Sequence, residues 1–196
     1  MKKAYIILFC LSFQQAFAQV DFQSNSVRNF LHPELSNQIN QLFPQYDFQL
    51  RFWIDGSLIR QKQKRLIIMS YYHNKWEGDS YKIVNRNKTS KSELRITSTI
   101  NDCDLIWLYF IQNNILNLQT PETIKLKLNE LQAREGSSRF LSTDGQTYYF
   151  EFITKEKYKR LEYSCPITLS EHYPEIPGLL DLMNIIKRLF LFISVH

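Results

Sequence analysis

Short segments of this chain alternate between apolar and polar residues, and this alternation restricts the fold more than any other feature. In YDFQLRFWID, residues 46–55, every second residue from Phe48 to Ile54 is apolar, and Gln49, Arg51 and Trp53 lie between them. Side chains of a strand point alternately to the two sides of a sheet, so the pattern predicts a strand with one buried face. A half-buried pattern favours an antiparallel sheet.

The same alternation is present in SELRITSTI, residues 92–100. It predicts a further strand with three apolar residues on one side: Leu94, Ile96 and Ile100.

Two further strand-like segments, residues 65–73 and 76–84, flank the dipeptide Asn74-Lys75. A two-residue connection between strands is typical of a β-hairpin, so we expect a tight turn at these two residues. A turn here predicts three cross-strand pairs: Leu66–Ile83, Ile68–Tyr81 and His73–Trp76.

The strongest hairpin signal is the Asp144-Gly145 pair, which precedes the aromatic segment TYYFEFI. A second turn at TKEK, residues 154–157, leads to KYKRLEYS. The register across that second turn predicts three pairs: Tyr148–Tyr163, Phe150–Leu161 and Glu151–Arg160. It places three aromatic residues in the core, Tyr148, Phe150 and Phe152, and leaves Tyr149 on the charged side of the sheet.

Three segments have helical spacing of apolar residues. A short helix is predicted from Pro33, with Leu35, Ile39 and Leu42 on one face, and Pro44 ends it. After Asp102, a candidate cap, the segment DLIWLYFIQNNILNL is apolar almost all round, which indicates a deeply buried helix. A C-terminal helix from about Pro177 is predicted to bury five residues: Leu179, Leu182, Met183, Ile186 and Leu189.

The segment PETIKLKLNELQ, residues 121–132, is ambiguous. Ile124, Leu126 and Leu128 alternate as in a strand, whereas Ile124, Leu128 and Leu131 fit one face of a helix. We favour a strand. The sequence as a whole predicts an α+β fold: an antiparallel β-sheet built from hairpins, packed by a central buried helix and a C-terminal helix.

The first 18 residues have the pattern of a cleaved secretory signal. Lys2 and Lys3 precede a short apolar run, and Ala16-Phe17-Ala18 presents small residues for cleavage before Gln19. The run is too short to span a membrane, and we expect no spanning segment elsewhere. The sequence therefore predicts residues 1–18 as a signal peptide and residues 19–196 as one domain, secreted to the periplasm or the exterior.

The net charge of the chain bears on the kind of partner to expect. Removal of residues 1–18 takes away Lys2 and Lys3 but no acid, so the formal net charge falls from +5 to +3. This mild charge gives no reason to expect a nucleic-acid partner. The basic run RQKQKR, residues 60–65, is interpreted as a solvated loop, with contact to anionic envelope lipid or polysaccharide as the alternative.

Two cysteines, Cys103 and Cys165, remain after the predicted cleavage. In an oxidising compartment we expect a disulfide between them, which would close a loop of about sixty residues. Such a bridge would stabilise the fold by roughly 4 kcal/mol, because it restricts the unfolded chain. Two buried free thiols are the alternative.

Sequence signatures of common catalytic sites are missing, including His-Glu-x-x-His, Gly-x-Ser-x-Gly and Cys-x-x-Cys. His172 lies near Glu171 and Glu175, but two ligand types in one loop do not make a metal site, so we expect no metal and no cofactor. A Ser/His/Asp constellation assembled in space stays open, because such triads follow no spacing rule.

The candidate binding residues are aromatic side chains expected on the sheet face away from the apolar one. Rings bring a large contact area at small entropic cost, which suits recognition of protein or carbohydrate. The candidates are Trp53, Tyr71, His73, Trp76 and Tyr149. The alternative, which we favour, is that helices cover this face too and make these rings a second core layer.

The runs FQLRFWIDGSL, KRLIIMSYYHNKW and DGQTYYFEFITKEKYKRLEYSCP, with the signal ending in Ala-x-Ala-Gln, resemble small secreted proteins of Bacteroidetes-type bacteria that have no assigned function. The resemblance covers most of residues 46–190 and implies no catalytic residue.

Three functions are consistent with these observations. The favoured hypothesis is an exported, non-catalytic module that binds a protein or an envelope component. The second is a small periplasmic inhibitor or immunity-type protein that neutralises one enzyme. The third is a hydrolase acting on cell-wall or surface polymer, with His73 or His172 as the base.

Overall fold

An antiparallel sheet forms the frame of the molecule in the computed structural model, which describes residues 23–24, 33–56, 64–85, 92–135 and 145–193. In this part of the chain the sheet has seven strands: β1 Gln23–Ser24, β2 Phe48–Gly56, β3 Lys64–Tyr72, β4 Lys75–Asn85, β5 Ser92–Thr99, β6 Gln146–Thr154 and β7 Lys157–Ser164. Their order across the sheet is β1-β7-β6-β2-β3-β4-β5. The predicted α+β fold with an antiparallel sheet is confirmed.

The described part of the chain also forms five α-helices: α1 Pro33–Leu42, α2 Cys103–Gln112, α3 Pro121–Glu135, α4 Pro166–His172 and α5 Leu179–Ile193. A short 3₁₀ turn, Ile115–Asn117, follows α2. Within the described ranges, none of these helices has the length and apolar character needed to cross a bilayer.

The main core lies between one face of the sheet and the helices α2, α3, α4 and α5. Alternate residues of β2 and β6 point into it, and Phe52 and Phe150 on these strands have ring centroids 4.9 Å apart. Trp107 of α2 packs against Phe48, with ring centroids 5.4 Å apart. The five residues predicted to be buried in the C-terminal helix are all buried: Leu179, Leu182, Met183, Ile186 and Leu189.

A smaller apolar cluster lies on the opposite face of the sheet. Leu35 and Ile39 of α1 pack there against residues of β2, β3 and β4. The Gln38 side chain fixes α1 to β5, because its Oε1 accepts a hydrogen bond of 3.0 Å from the Leu94 backbone N–H. The predicted helix from Pro33 is confirmed, except that Leu42 is exposed and Phe43 packs on the cluster instead.

The turn between β3 and β4 consists of His73 and Asn74, one residue earlier than predicted. Both residues have a positive φ, 50° and 61°, which is the backbone of a type I′ turn. The observed pairs differ accordingly from those predicted: Leu66–Tyr81, Ile68–Asp79 and Tyr71–Trp76. Because moving the turn by one residue shifts the register by two, the partners change but each side chain keeps its face.

The alternation in β5 is broken by a bulge, which the sequence did not indicate. Tyr81 pairs with Ile96 and Ser80 with Ser98, so Thr97 is an additional residue. An additional residue reverses the faces of the positions after it. Leu94 therefore packs on the smaller cluster and Ile100 in the main core, while Ile96 is exposed. The prediction that these three share a face is wrong.

The hairpin of β6 and β7 has the predicted register. Tyr148 pairs with Tyr163, Phe150 with Leu161, and Glu151 with Arg160. Asp144 lies outside the described residues, as do residues 1–18, the predicted cleavage site at Ala18 and Gln19, and residues 60–63 of the basic run.

Residues 121–135 form a helix, so the predicted strand is wrong. Pro121 occupies the first helical position, and the Thr120 hydroxyl accepts a hydrogen bond of 3.3 Å from the Thr123 N–H, which caps the end. The burial of the apolar residues agrees with the helical alternative and not with the strand, because Ile124 is buried and Leu126 is exposed.

The central helix α2 is less deeply buried than predicted. Leu105 and Leu108 are exposed, while Ile106, Trp107 and Phe110 face the core. Asp102 precedes the helix with a φ of 55° and makes no side-chain cap.

Cys103 and Cys165 are both free thiols, and the predicted disulfide is wrong. The Cys103 sulfur packs near Gly78 of β4, whereas the Cys165 sulfur packs against Gly145 beside β6. Between β6 and β4 lie three strand spacings of about 4.8 Å each, or roughly 14 Å. A disulfide needs Cα atoms within about 7 Å.

Candidate functional site

The five predicted binding residues do not form one surface, because the sheet places them on different sides. Trp76 and Tyr71 belong to the main-core face, and Trp53 and Tyr149 to the opposite face. His73 lies in the exposed β3–β4 turn, where its ring stacks on Tyr72 at a centroid distance of 3.9 Å.

Trp76 is a core residue and does not point away from the apolar face as predicted. Only 3% of its surface is exposed, and its ring centroid lies 4.4 Å from that of Trp107. The ring centroid of Tyr71 lies 5.3 Å from that of Trp76. The Tyr71 hydroxyl donates a hydrogen bond of 3.1 Å to the Asn74 side chain. These rings close the end of the core beside the turn.

Trp53 and Tyr149 do lie together on the second face. Their rings are nearly parallel, at a centroid distance of 5.0 Å and an angle of 10°. The Arg160 guanidinium lies 4.7 Å from the Tyr149 centroid and 5.5 Å from that of Trp53, which makes a cation–π contact with both rings. Trp53 is 5% exposed, so the stack presents only part of Tyr149 and Arg160 to a partner.

Beside this stack, charged residues of opposite sign alternate across three strands. Arg51 of β2 lies opposite Glu151 of β6, which lies opposite Arg160 of β7. Burial raises the pKa of Glu151. The hydrogen bond of 2.7 Å that the Tyr158 hydroxyl donates to it, and the charges of the two arginines, act to lower this pKa but do not outweigh burial. Burial likewise lowers the pKa of Arg51, against the attraction of Glu151. We define Arg51, Glu151 and Arg160 as the charged row.

The charged row is extended by neutral side chains. The Nε of Arg51 donates to the Gln49 side chain, which in turn donates 2.8 Å to the hydroxyl of Ser70. Gln49 is fully buried and Ser70 nearly so. These partners hold the buried charges in place, which makes the row a structural part of the sheet.

An apolar pocket of about 360 Å³ lies where β7 meets the helices α3, α4 and α5. It is lined by Pro121, Ile124, Lys125, Glu162, Tyr163, Ser164, Pro166, Leu169 and Leu179. We call this the β7 pocket. Its volume lies at the lower end of the range of roughly 300–1,000 Å³ that is usual for ligand pockets.

The floor of the β7 pocket is rigid and apolar. Ile124, Tyr163 and Leu179 are each buried. The Tyr163 hydroxyl donates a hydrogen bond of 2.7 Å to the carbonyl of Gln119, and burial raises the pKa of this phenol, so it stays neutral and fixed. The floor therefore offers apolar contact and no free charge.

The rim of the β7 pocket is polar and exposed. Lys125 brings an ammonium group to it, and Glu162 and Ser164 border it at the end of β7. The Glu162 carboxylate itself lies on the second face of the sheet, opposite Tyr149 and 3.5 Å from the Arg160 guanidinium. Protein interfaces have the same arrangement, with an apolar centre and a polar rim around it.

The sequence analysis did not identify this pocket. The available signal was Pro166, which follows the β7 segment and occupies the first position of α4, where proline favours a helix start. A helix start there brings Leu169 to the same pocket as Tyr163. The positions of α3 and α5 beside them have no local sequence signal.

The described histidines do not reach the pocket. The His172 Nδ1 lies 2.9 Å from the carbonyl oxygen of Thr168 in the last turn of α4, and His73 is in the β3–β4 turn. Among the residues that the structure describes, no three His, Cys, Asp or Glu side chains are grouped as metal ligands.

No family model matches this sequence, and no curated protein or solved structure matches it.

Proposed function

We propose that the protein is an exported, non-catalytic binding module that holds an apolar side chain of a partner protein in the β7 pocket. The observation that carries the proposal is the pairing of a buried apolar floor with an exposed polar rim. Such a pocket gains affinity from the hydrophobic effect on the floor, and orientation from the polar rim.

Export rests on the signal-like pattern of residues 1–18, and a secreted location in the periplasm or outside the cell follows from it. A partner in this location is a protein of the cell envelope or of the exterior. If that partner is an enzyme held in equal amount, the module is an inhibitor or immunity-type protein. The hydrolase alternative gains no support from this pocket, whose lining holds one carboxylate and no histidine.

The partner is to be captured by photo-cross-linking in the native envelope. The photoreactive residue p-benzoylphenylalanine replaces Ser164 at the rim. In the matched control it replaces Leu126, which is 63% exposed and does not line the pocket. We expect one protein to be cross-linked from position 164 and not from position 126. Equal capture from both positions contradicts the proposal.

Affinity for the captured protein, once purified, then tests the pocket itself. We expect Leu169→Trp to weaken binding at least about tenfold, because the larger ring fills the space that the partner's side chain needs. Leu126→Trp is the control and is expected to leave the dissociation constant unchanged. An unchanged constant for Leu169→Trp, in a variant with native circular dichroism, rules the pocket out as the binding site.

A further inference from the structure

The lining of the β7 pocket contains two charged residues, and only one of them brings its charge to the cavity. The Glu162 carboxylate lies on the second face of the sheet, 3.5 Å from the Arg160 guanidinium. Lys125 is exposed at the rim, and within the described part of the chain its ammonium group makes no ion pair. The pocket therefore presents an apolar floor and one positive charge.

Glu122 is the other charged group near this rim. It is exposed in the first turn of α3, one turn before Lys125. Burial, and after it the charge of Glu122, raise the pKa of Tyr163, so this carboxylate lies within electrostatic range of the floor. Its side chain does not line the pocket. A group seated in the cavity therefore contacts the lysine and not this glutamate.

The size of the pocket limits the distance between the two parts of its ligand. A sphere of 360 Å³ has a diameter of about 9 Å, so an apolar group on the floor and an anionic group beside Lys125 must be close together. In an extended chain the next side chain points to the opposite side, and the one after it lies about 7 Å further along. The α-carboxylate of a C-terminal residue is closer, because it is attached to the carbon atom that carries the side chain.

We propose that the β7 pocket takes the apolar C-terminal residue of its partner protein, with the side chain on the floor and the terminal carboxylate beside Lys125. The inference rests on the proposed function and names the part of the partner that is bound. Burial of the side chain supplies most of the affinity, since an exposed ion pair adds little. The ion pair selects a chain end over an internal apolar residue.

Two small probes that differ in this carboxylate test the assignment: N-acetylphenylalanine and N-acetylphenylalanine amide. Their binding to the purified protein is followed by the NMR chemical shifts of the backbone amides of Ile124, Ser164 and Leu169. We expect millimolar dissociation constants for compounds of this size. The acid is expected to bind about three- to fivefold more tightly than the amide, and this preference should shrink as NaCl is added.

Four variants separate the charge from the cavity. Lys125→Gln removes the charge and is expected to make the two affinities equal. Lys187→Gln removes an exposed lysine of α5 that does not line the pocket, so it is the matched control and should keep the preference. Glu122→Gln removes an opposing charge and should increase the preference for the acid. Leu169→Trp fills the cavity and is expected to abolish binding of both probes.

Equal affinity of the acid and the amide overturns this inference, and so does a preference that persists in Lys125→Gln. Stronger binding of a peptide amide in which phenylalanine precedes aspartate by two residues would mean that an internal acidic residue is recognised, which also overturns it. Failure of both probes to shift these amides at about 20 mM does the same. If acid and amide bind equally and Leu169→Trp abolishes both, the proposed function stands and only the C-terminal assignment fails.

Discussion

Arg51 shows why a charged side chain is tolerated on the inner part of a sheet face. It is 7% exposed, and Glu151 beside it is 4% exposed. An isolated buried charge costs several kcal/mol, so such residues occur where opposite charge and hydrogen bonds surround them. The charged row meets this condition through Tyr158 and Gln49, and it places Arg160 over the rings of Trp53 and Tyr149.

The two thiols differ in their surroundings, and this predicts a difference in reactivity. Cys103 is buried, its sulfur donates to the Ile100 carbonyl at 3.1 Å, and burial raises its pKa to about 11. The thiolate is the reactive form of a cysteine. Raising the pKa of Cys103 from 9.0 to about 11 lowers the fraction of its side chain that is thiolate at pH 8 about a hundredfold. We expect a thiol reagent to modify the half-exposed Cys165 rapidly and Cys103 only slowly in the folded chain.

The measurement is thiol titration of the non-reduced protein at pH 8, with the modified residue identified by mass spectrometry. In a chain of residues 19–196, unfolding in guanidinium is expected to make both thiols reactive. Cys165→Ser is the control and should lose the fast phase alone. Absence of reactive thiols after unfolding would mean that a disulfide joins the two residues.

At the scale of elements, Gly145 and Cys165 pack closely against each other where β6 begins and β7 ends. A Cβ on residue 145 would overlap the Cys165 sulfur and lie 2.7 Å from its Cβ. Cys165 has a φ of 52°, a conformation that glycine adopts without strain. Its backbone N–H donates 2.9 Å to the Gln146 carbonyl, which holds the two strand ends together.

This contact predicts a double-mutant coupling. Gly145→Ala alone is expected to destabilise the fold by about 2–3 kcal/mol, because the overlap forces the strand ends apart. Cys165→Gly removes both the sulfur and the Cβ and suits the positive φ, so we expect Gly145→Ala to cost less than about 1 kcal/mol in that background. Urea unfolding of the four chains measures the coupling. Additive free energies of unfolding would show that the two residues do not touch.

Local pairing was readable from the sequence where both strands carried distinctive partners. The β6–β7 register followed from Glu151 and Arg160, since a slip of one residue would set Glu151 beside apolar partners. The β3–β4 turn was predicted one residue late, because histidine is not among the residues that dominate tight turns. His73 nevertheless adopts a φ of 50°. The bulge at Thr97 had no signal at all.

Helix and strand were hardest to separate in α3. Its apolar residues satisfy two periods at once, and the decision depends on Thr120 and Pro121 at the helix start, together with packing of Ile124 on the main core. Propensity alone does not decide such segments, because tertiary packing outweighs it.

At the scale of the whole molecule, the order of strands decides which residues meet. β2 lies between β3 and β6, so Trp53 meets Tyr149 and Arg51 meets Glu151 although each pair is about one hundred residues apart in sequence. The β7 pocket likewise combines residues of β7 with three helices. Neither arrangement has a local signal, so the candidate aromatic residues were identified individually but assigned to a common surface that the fold does not form.

Both apolar clusters share the same strands, and this predicts a single unfolding transition. Phe52 and Trp53 are neighbours in β2 and belong to opposite clusters, so neither cluster can lose its sheet while the other keeps it. Ile39 on the second face and Ile186 in the main core are both fully buried. We expect Ile39→Ala and Ile186→Ala each to lower the free energy of unfolding by about 2–4 kcal/mol.

Urea unfolding followed by circular dichroism and by tryptophan fluorescence measures this, and the two signals are expected to coincide in every variant. Leu126→Ala, at an exposed position, is the control and should change stability by less than about 0.5 kcal/mol. Trp53→Phe removes the fluorescence of the second face and leaves that of Trp76 and Trp107 in the main core. An earlier fluorescence transition in Ile39→Ala, absent when Trp53→Phe is added, would show that α1 and the second face unfold on their own.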